Sequence, residues 1–274
     1  MPHFAFAGVR APRPFTRWRV SAAMSLSLAV APLARAQAPD HALFDSLLHA
    51  NVRDGLVAYD AFDASPAFGR YLAWLGATDP GSLGRADQLA FWINAYNAWT
   101  IHQVNRHHER ASIRNINRTL GVVRAGGAWR ERMAVIGGRT WTLDEIEHTV
   151  IRPRFRDARV HFALVCAAMG CPPLRSEAYV GARLDAQLDD QGRRFLRESP
   201  DKNRVDVAER TVHLSPIFIS FRDYIDDFGG NEAAVGRFIA RWYPPGPERD
   251  LLVGGRFVVH VTTYDWSLNA LRRP

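Results

Sequence analysis

Residues Arg85 to His107 constrain the fold more than any other stretch, because apolar side chains run almost all the way round the helix they predict. Phe91, Trp92, Ile93, Tyr96, Trp99, Ile101 and Val104 leave little face for water, so such a helix belongs at the centre of a domain. Within it Asn94 and Asn97 are three residues apart and share a face. Flanked by Phe91, Ala98 and Ile101, both amides sit in a mostly apolar setting. They must either grip neighbouring backbone or face a polar pocket. His102 lies about 80° round the helix from Asn94 at ~100° per residue, close enough for one pocket to hold both. Asn94, Asn97 and His102 are therefore candidate substrate-binding residues, with backbone clamping as the other role open to the asparagines.

The first 36 residues read as a leader rather than as part of that domain. Arg10, Arg13, Arg17 and Arg19 precede an apolar run from Val20 to Leu33, and Ala34-Arg35-Ala36 supplies a small-x-small cleavage signal. The run is too short for a comfortable membrane span. Cleavage after Ala36 would leave a single domain over 37–274, starting at Gln37, in the periplasm or outside the cell. The charge changes with it: five arginines and no acid depart, taking the formal net charge from +7 to +2. No concentrated basic stripe then remains for nucleic acid. No later apolar run reaches the ~18 residues of a membrane helix. The partners expected are a small molecule, a peptide or cell-envelope material, with no cofactor.

Shorter elements surround the central helix. Helical spacing predicts helices over Asp40 to Ala50, Pro66 to Leu75, Leu184 to Leu196, Ile217 to Phe228 and Glu232 to Trp242. Val57 to Asp60 predicts a brief extended piece. Met133 to Ile136 and Arg139 to Thr142 predict a hairpin across Gly137-Gly138. Thr142-Leu143-Asp144-Glu145 predicts a capped helix ending by Arg152, before Pro153. Arg204 to Val207 and Thr211 to Leu214 suggest a second hairpin, and Phe257 to Thr262 a last strand. With no regular β-α-β rhythm, the expectation is a single helix-rich α+β domain with a small antiparallel sheet. Asp144, Glu147 and His148 on the capped helix could do acid-base work, but one acid per turn is ordinary helix surface.

Both cysteines lie between Val160 and Leu174. An apolar segment, Val160 to Cys166, predicts a buried strand that runs into a Gly170-Cys171-Pro172-Pro173 corner. Three arrangements fit two sulfurs five residues apart. One is a disulfide, which persists in an oxidising compartment. A second is a metal centre using both thiolates and His161, although the spacing matches no familiar ligand motif. The third is a nucleophile at Cys171, its thiolate stabilised by backbone N–H groups at the corner and activated by a histidine base. His161 is the nearest base in sequence, with His102, His148 and His260 as others.

Four motifs together resemble the domain of unknown function 547 family. They are Leu89-Ala90-Phe91-Trp92-Ile93-Asn94-Ala95-Tyr96-Asn97-Ala98, Leu143-Asp144-Glu145-Ile146-Glu147-His148, His161 to Cys166 continuing to Cys171-Pro172-Pro173-Leu174, and Tyr264-Asp265-Trp266-Ser267-Leu268-Asn269. The resemblance implies one catalytic-looking domain, often exported in bacteria. Its inventory of cysteine, histidine and polar Asn or Asp is similar to that of papain-like and transglutaminase-like thiol enzymes, whose folds are α+β. On that analogy Cys171 would attack an amide or ester bond, His161 would accept its proton and Asp265 would orient the base, as in a hydrolase or acyltransferase. His161 ahead of Cys171 reverses the papain-like order, which requires a permuted arrangement or a different histidine. The alternative is a non-catalytic envelope binding or scaffold domain in which Cys166 and Cys171 form a disulfide.

Overall fold

A computed structural model of the chain describes residues 1–3, 8, 40–119, 122–123, 127–221 and 224–271, without the side chains of 118, 119, 122 and 123. The leader expected over 1–36 lies almost wholly outside the described residues, as does Gln37. After α1 (Ala42–Asn51), β1 (Val52–Arg53) and β2 (Leu56–Val57) form a tight antiparallel pair. Asp54 and Gly55 between them both take positive φ, the backbone that a two-residue Asp-Gly hairpin loop needs. α2 (Tyr59–Asp63) and α3 (Pro66–Ala77) then pack Phe62, Phe68, Tyr71 and Leu75 into the core.

The helix expected from its all-round apolar character is α4 (Arg85–Arg106), and every residue from Leu89 to Ile101 is buried. Its polar residues explain how so much irregular chain can be packed around it. A buried loop must find partners for its backbone N–H and C=O groups, and no sheet ladder is there to supply them. Side chains of α4 do it instead. Asn94 donates to Tyr179 O at 2.7 Å and accepts from Tyr179 N at 2.9 Å. Asn97 donates to Ala163 O at 2.9 Å and accepts from Val165 N at 3.0 Å. Gln103 donates to Ala128 O, and Asn105 to Tyr59 O. The helix acts as a spindle to which four irregular segments are pinned.

That pinning corrects one expectation. Val160 to Cys166 is no strand: a 3₁₀ turn covers Ala158–Phe162, and the chain after it is irregular. Asn97 satisfies the very backbone groups that a neighbouring strand would have paired.

β3 (Arg118–Thr119) pairs with β4 (Val122–Val123), and β5 (Ala134–Ile136) with β6 (Arg139–Trp141) across Gly137-Gly138, both at positive φ. α5 (Leu143–Glu145) opens on the expected capping box, with Thr142 Oγ1 accepting from Glu145 N and Glu145 Oε2 from Thr142 N. The helix does not stop before Pro153, as the sequence suggests. It widens into a π-helical segment, Ile146–Ile151, and continues as α6 (Arg152–Phe155). Pro153 cannot donate to the residue four back and crowds its carbonyl; a wider turn ahead of it relieves both conflicts, and Pro153 falls in the first turn of α6, where its missing N–H costs least.

α7 (Leu184–Arg197) leads to β7 (Arg204–Asp206) and β8 (Thr211–Leu214). α8 (Pro216–Ile219) and α9 (Tyr224–Asp227) replace the single helix expected from Ile217 to Phe228, with residues 222–223 outside the described chain. α10 (Glu232–Ile239) and α11 (Pro247–Gly254) precede β9 (Val258–Val261), which pairs parallel to β8. Among the described residues the strands form four small sheets, three antiparallel pairs and one mixed three-stranded sheet, in keeping with the helix-rich α+β domain of small sheet content expected. Ala36–Pro274 packs as one compact unit of α+β type. No helix among the described residues is long and apolar enough to cross a membrane.

Two apolar clusters make up the interior. One surrounds α4; the other gathers around Phe162, whose ring meets Phe195, Phe218, Phe228, Phe238 and Trp242. Tyr264 packs against both clusters. It belongs to a terminal segment that threads back through the domain: Gly170 N donates to Asp265 O, Met169 N to Ser267 O, Val57 N to Asn269 O, and Leu271 N to Val57 O.

Candidate functional site

A cavity of about 440 Å³ opens where the two clusters meet. The π-helical segment supplies its carboxylate. Glu147 is 5 % exposed, the hydroxyl of Tyr224 on α9 donates to it, and Tyr96 on α4 lines the same cavity. One acid per helical turn looks like surface; here the acid points inward. Burial, with the Glu147 charge beside them, pushes the hydroxyls of Tyr96, Tyr224 and Tyr264 well above the ordinary tyrosine value. All three therefore stay protonated and act as donors. His148 also lines the cavity: its Nδ1 meets Asp144 O at 3.1 Å, while its buried Nε2 has no hydrogen-bond partner among the described residues.

The opposite wall is sulfur. Cys166 and Cys171 are joined by a disulfide. Cys166 is half-buried and Cys171 is 2 % exposed. Tyr264 Oη lies 3.1 Å from Cys166 Sγ and 3.2 Å from Cys171 Sγ, and the Cys166 N–H donates to Cys171 Sγ at 3.0 Å. Gly170 makes this approach possible, because a Cβ there would meet the Tyr264 ring at 2.8 Å. Lys202, the one lysine of the chain, donates to the Cys171 carbonyl at 2.8 Å. Ala167, inside the bridged loop, is held at φ 63°, a left-handed backbone that costs a non-glycine residue about 1–2 kcal/mol.

His161 reaches the same cavity but is committed elsewhere. Its Nε2 lies 2.7 Å from Asp227 Oδ2, which also accepts from Arg152 Nε at 2.6 Å, and its ring centroid is 4.2 Å from that of Tyr224. Burial opposes the charge on Asp227, yet the hydrogen bonds from His161 and Arg152 win and hold its carboxyl at about 2.

The structure thus gathers Cys166, Cys171 and His161 around one cavity, with Asp144, Glu147 and His148 of the capped helix, and leaves Asn94, Asn97, His102 and Asp265 outside its lining. Asn94 and Asn97 spend both ends of their amides on backbone. His102 packs edge-on against Trp99. Asp265 is no orienting carboxylate: its Oδ1 accepts from Ser267 N and Oγ, capping a local turn, and its carbonyl holds Gly170 N. In the bridged state neither sulfur is a thiolate, so the nucleophile expected at Cys171 does not exist until the bond is reduced. No group of three or more His, Cys, Asp or Glu among the described residues is placed to hold a metal ion.

Sequence reasoning weighs Glu147 but sets it down as helix surface, and passes over Tyr96, Tyr224 and Asp227. The tyrosines read as core aromatics, and nothing local pairs α9 with the capped helix.

The family model described as "Protein of unknown function, DUF547" matches residues 80–196. That span contains α4, Glu147, His148, His161 and both cysteines, and it ends before Tyr224 and Tyr264. No curated protein and no solved structure matches the chain.

Proposed function

The chain is a member of the DUF547 family, and from that premise we propose that its domain is a binding module for a small organic cation with an apolar body. The observation that carries this is Glu147. A buried carboxylate is costly unless it is hydrogen-bonded and paired. The Tyr224 hydroxyl supplies a hydrogen bond, and no described cation pairs with it. A ligand ammonium would complete the pair. Trp129, Phe221 and Tyr264 line the same cavity and suit a cation and its apolar body, each such contact contributing about 0.5–2 kcal/mol. His148 Nε2 offers a second polar contact. The bridged cysteines agree with an oxidising compartment, which supports export of the mature chain to the periplasm or beyond, and with it the reading of a non-catalytic envelope domain.

Calorimetry with phenethylamine and 2-phenylethanol tests the proposal on the chain from Gln37 onward. The amine should bind at least tenfold more tightly than the alcohol, and Glu147→Gln should erase that difference. Equal binding of the two, or binding of neither, would sink it.

One observation favours a second function, the thiol-dependent hydrolase or acyltransferase: Cys171 and His161 line the same cavity. Catalysis would begin only after reduction, with His161 exchanging its Asp227 contact for the sulfur. Reduced protein should then turn over p-nitrophenyl acetate, and Cys171→Ser should abolish that turnover. Reduced wild type no faster than buffer excludes it.

A further inference from the structure

The disulfide does not merely staple the cavity wall. We infer that Cys166–Cys171 is a redox-active bond that exchanges with small thiols, Cys166 being the sulfur attacked and Cys171 the one that leaves. Four observations on the bond and its surroundings support exchange, and two of them, the greater exposure of Cys166 and the N–H held on Cys171 Sγ, give its direction. Both sulfurs line a cavity large enough for a small thiol, whereas a purely structural bridge gains nothing from facing one. Cys166 is the more exposed of the two. The Cys166 N–H donates to Cys171 Sγ at 3.0 Å, and the Tyr264 hydroxyl sits between the two sulfurs, 3.2 Å from Cys171 Sγ and 3.1 Å from Cys166 Sγ. Hydrogen bonds to sulfur lower the pKa of the departing thiol, and the lower-pKa thiol leaves faster. Finally, the loop between the cysteines holds Ala167 in a left-handed backbone that an open loop is free to leave. Burial keeps Tyr264 protonated, so its donor is present throughout the neutral range.

The steps balance without a further reactant. A thiolate RS⁻ attacks Cys166 Sγ; the RS–SCys166 bond forms, the Cys166–Cys171 bond breaks, and its electron pair goes to Cys171, which remains as a thiolate between the two donors. A second RS⁻ attacks the R sulfur of the mixed disulfide, giving RSSR and releasing Cys166 as a thiolate. The two protons lost by the thiols return to the two cysteines. The net change is two-electron reduction of the bridge by two thiols. This chemistry is independent of the amine-binding proposal, and either can fail alone.

The test treats the native full-length mature chain with β-mercaptoethanol, quenches with acid, alkylates with N-ethylmaleimide and maps both cysteines by mass spectrometry. At early times the β-mercaptoethanol adduct should sit on Cys166 and the maleimide on Cys171. Tyr264→Phe should slow adduct formation about tenfold, by removal of one hydrogen bond to a developing charge. An adduct mainly on Cys171 would reverse the assignment and overturn the inference whatever the variant does. A bridge that resists the thiol unless urea is added would overturn it too, by showing the bond to be closed to exchange in the folded state.

Discussion

Replacing Asn97 with leucine tests whether a side chain of α4 stands in for a β-strand. Leucine keeps asparagine's branching and number of heavy atoms but ends in bulkier methyl groups, so the change opens no cavity while it removes the hydrogen bonds. Two backbone groups lose their partners, the Ala163 carbonyl and the Val165 N–H. Asn97 is 3 % exposed, and Ala163 and Val165 are buried, so water cannot readily replace it. Each orphaned buried group costs ~1–3 kcal/mol, and partial relaxation of the loop brings the expected total to about 3 kcal/mol. For a domain of this size about 1 kcal/mol moves the melting temperature by roughly 2–4 °C, so a fall of roughly 6–12 °C is expected. Circular dichroism would read the melt, with the helical signal at low temperature retained. Hydrogen exchange supplies the local check: the Val165 amide should exchange much faster, while amides in the middle of α4 keep their protection. A melting temperature within about 2 °C of wild type, or an unchanged Val165 amide, would refute the clamp.

Three further outcomes are expected. Asp227 has its carboxyl held at about 2, below the ordinary 3.8, so its contribution is fully present above about pH 4 and is lost as pH falls toward 2. Partly exposed, it is worth about 1–2 kcal/mol, and Asp227→Asn should flatten the loss of stability between pH 4 and pH 2 in urea titrations; an unchanged slope would mean the His161 and Arg152 contacts are not formed in solution. Gly170→Ala puts a methyl against the Tyr264 ring, so it should displace that ring and lower the melting temperature by at least a few degrees; a crystal structure with Tyr264 still over both sulfurs would contradict this. Mature protein from the native host should begin at Gln37, and N-terminal sequencing that finds residues 1–36 retained would end the export proposal.

What the sequence discloses here is what local physics determines. The burial of α4 follows from its own side chains, the β5–β6 turn from Gly137-Gly138, and the start of α5 from Thr142 and Glu145. The Asp54-Gly55 turn carries an equally local hairpin signal, which periodicity over Val57 to Asp60 does not detect. The strand expected at Val160 to Cys166 fails for a different reason. An apolar run reports burial, not which groups satisfy the backbone, and here the partner is an amide some sixty residues away in the chain. Glu147 is hidden because ordinary helical arithmetic does not anticipate a π-helical segment, which alters which side chains share a face. The cavity itself is assembled from α4, the π-helical segment, α9 and the terminal segment, and no motif spans that set. Asn94 and Asn97 illustrate the limit well: their burial is legible, while clamp or contact depends on what lies opposite.

The path of the last residues carries a consequence for how the molecule comes into being. Asn269 receives the Tyr59 hydroxyl at 2.6 Å and donates to Gly55 O, Leu271 N reaches Val57 O, and Tyr264 closes the cavity over the sulfurs. Ties between residues more than 200 positions apart bring a large loop-closure entropy and raise the contact order, which slows folding. A ribosome making this protein delivers α4 and the cysteine loop before Tyr264, the residue that completes the cavity. Until then Gly55, Val57 and Tyr59 lack their final partners, and the cysteine loop has no tyrosine above it. Pairing of Cys166 with Cys171 can therefore precede, rather than follow, closure of the domain around them.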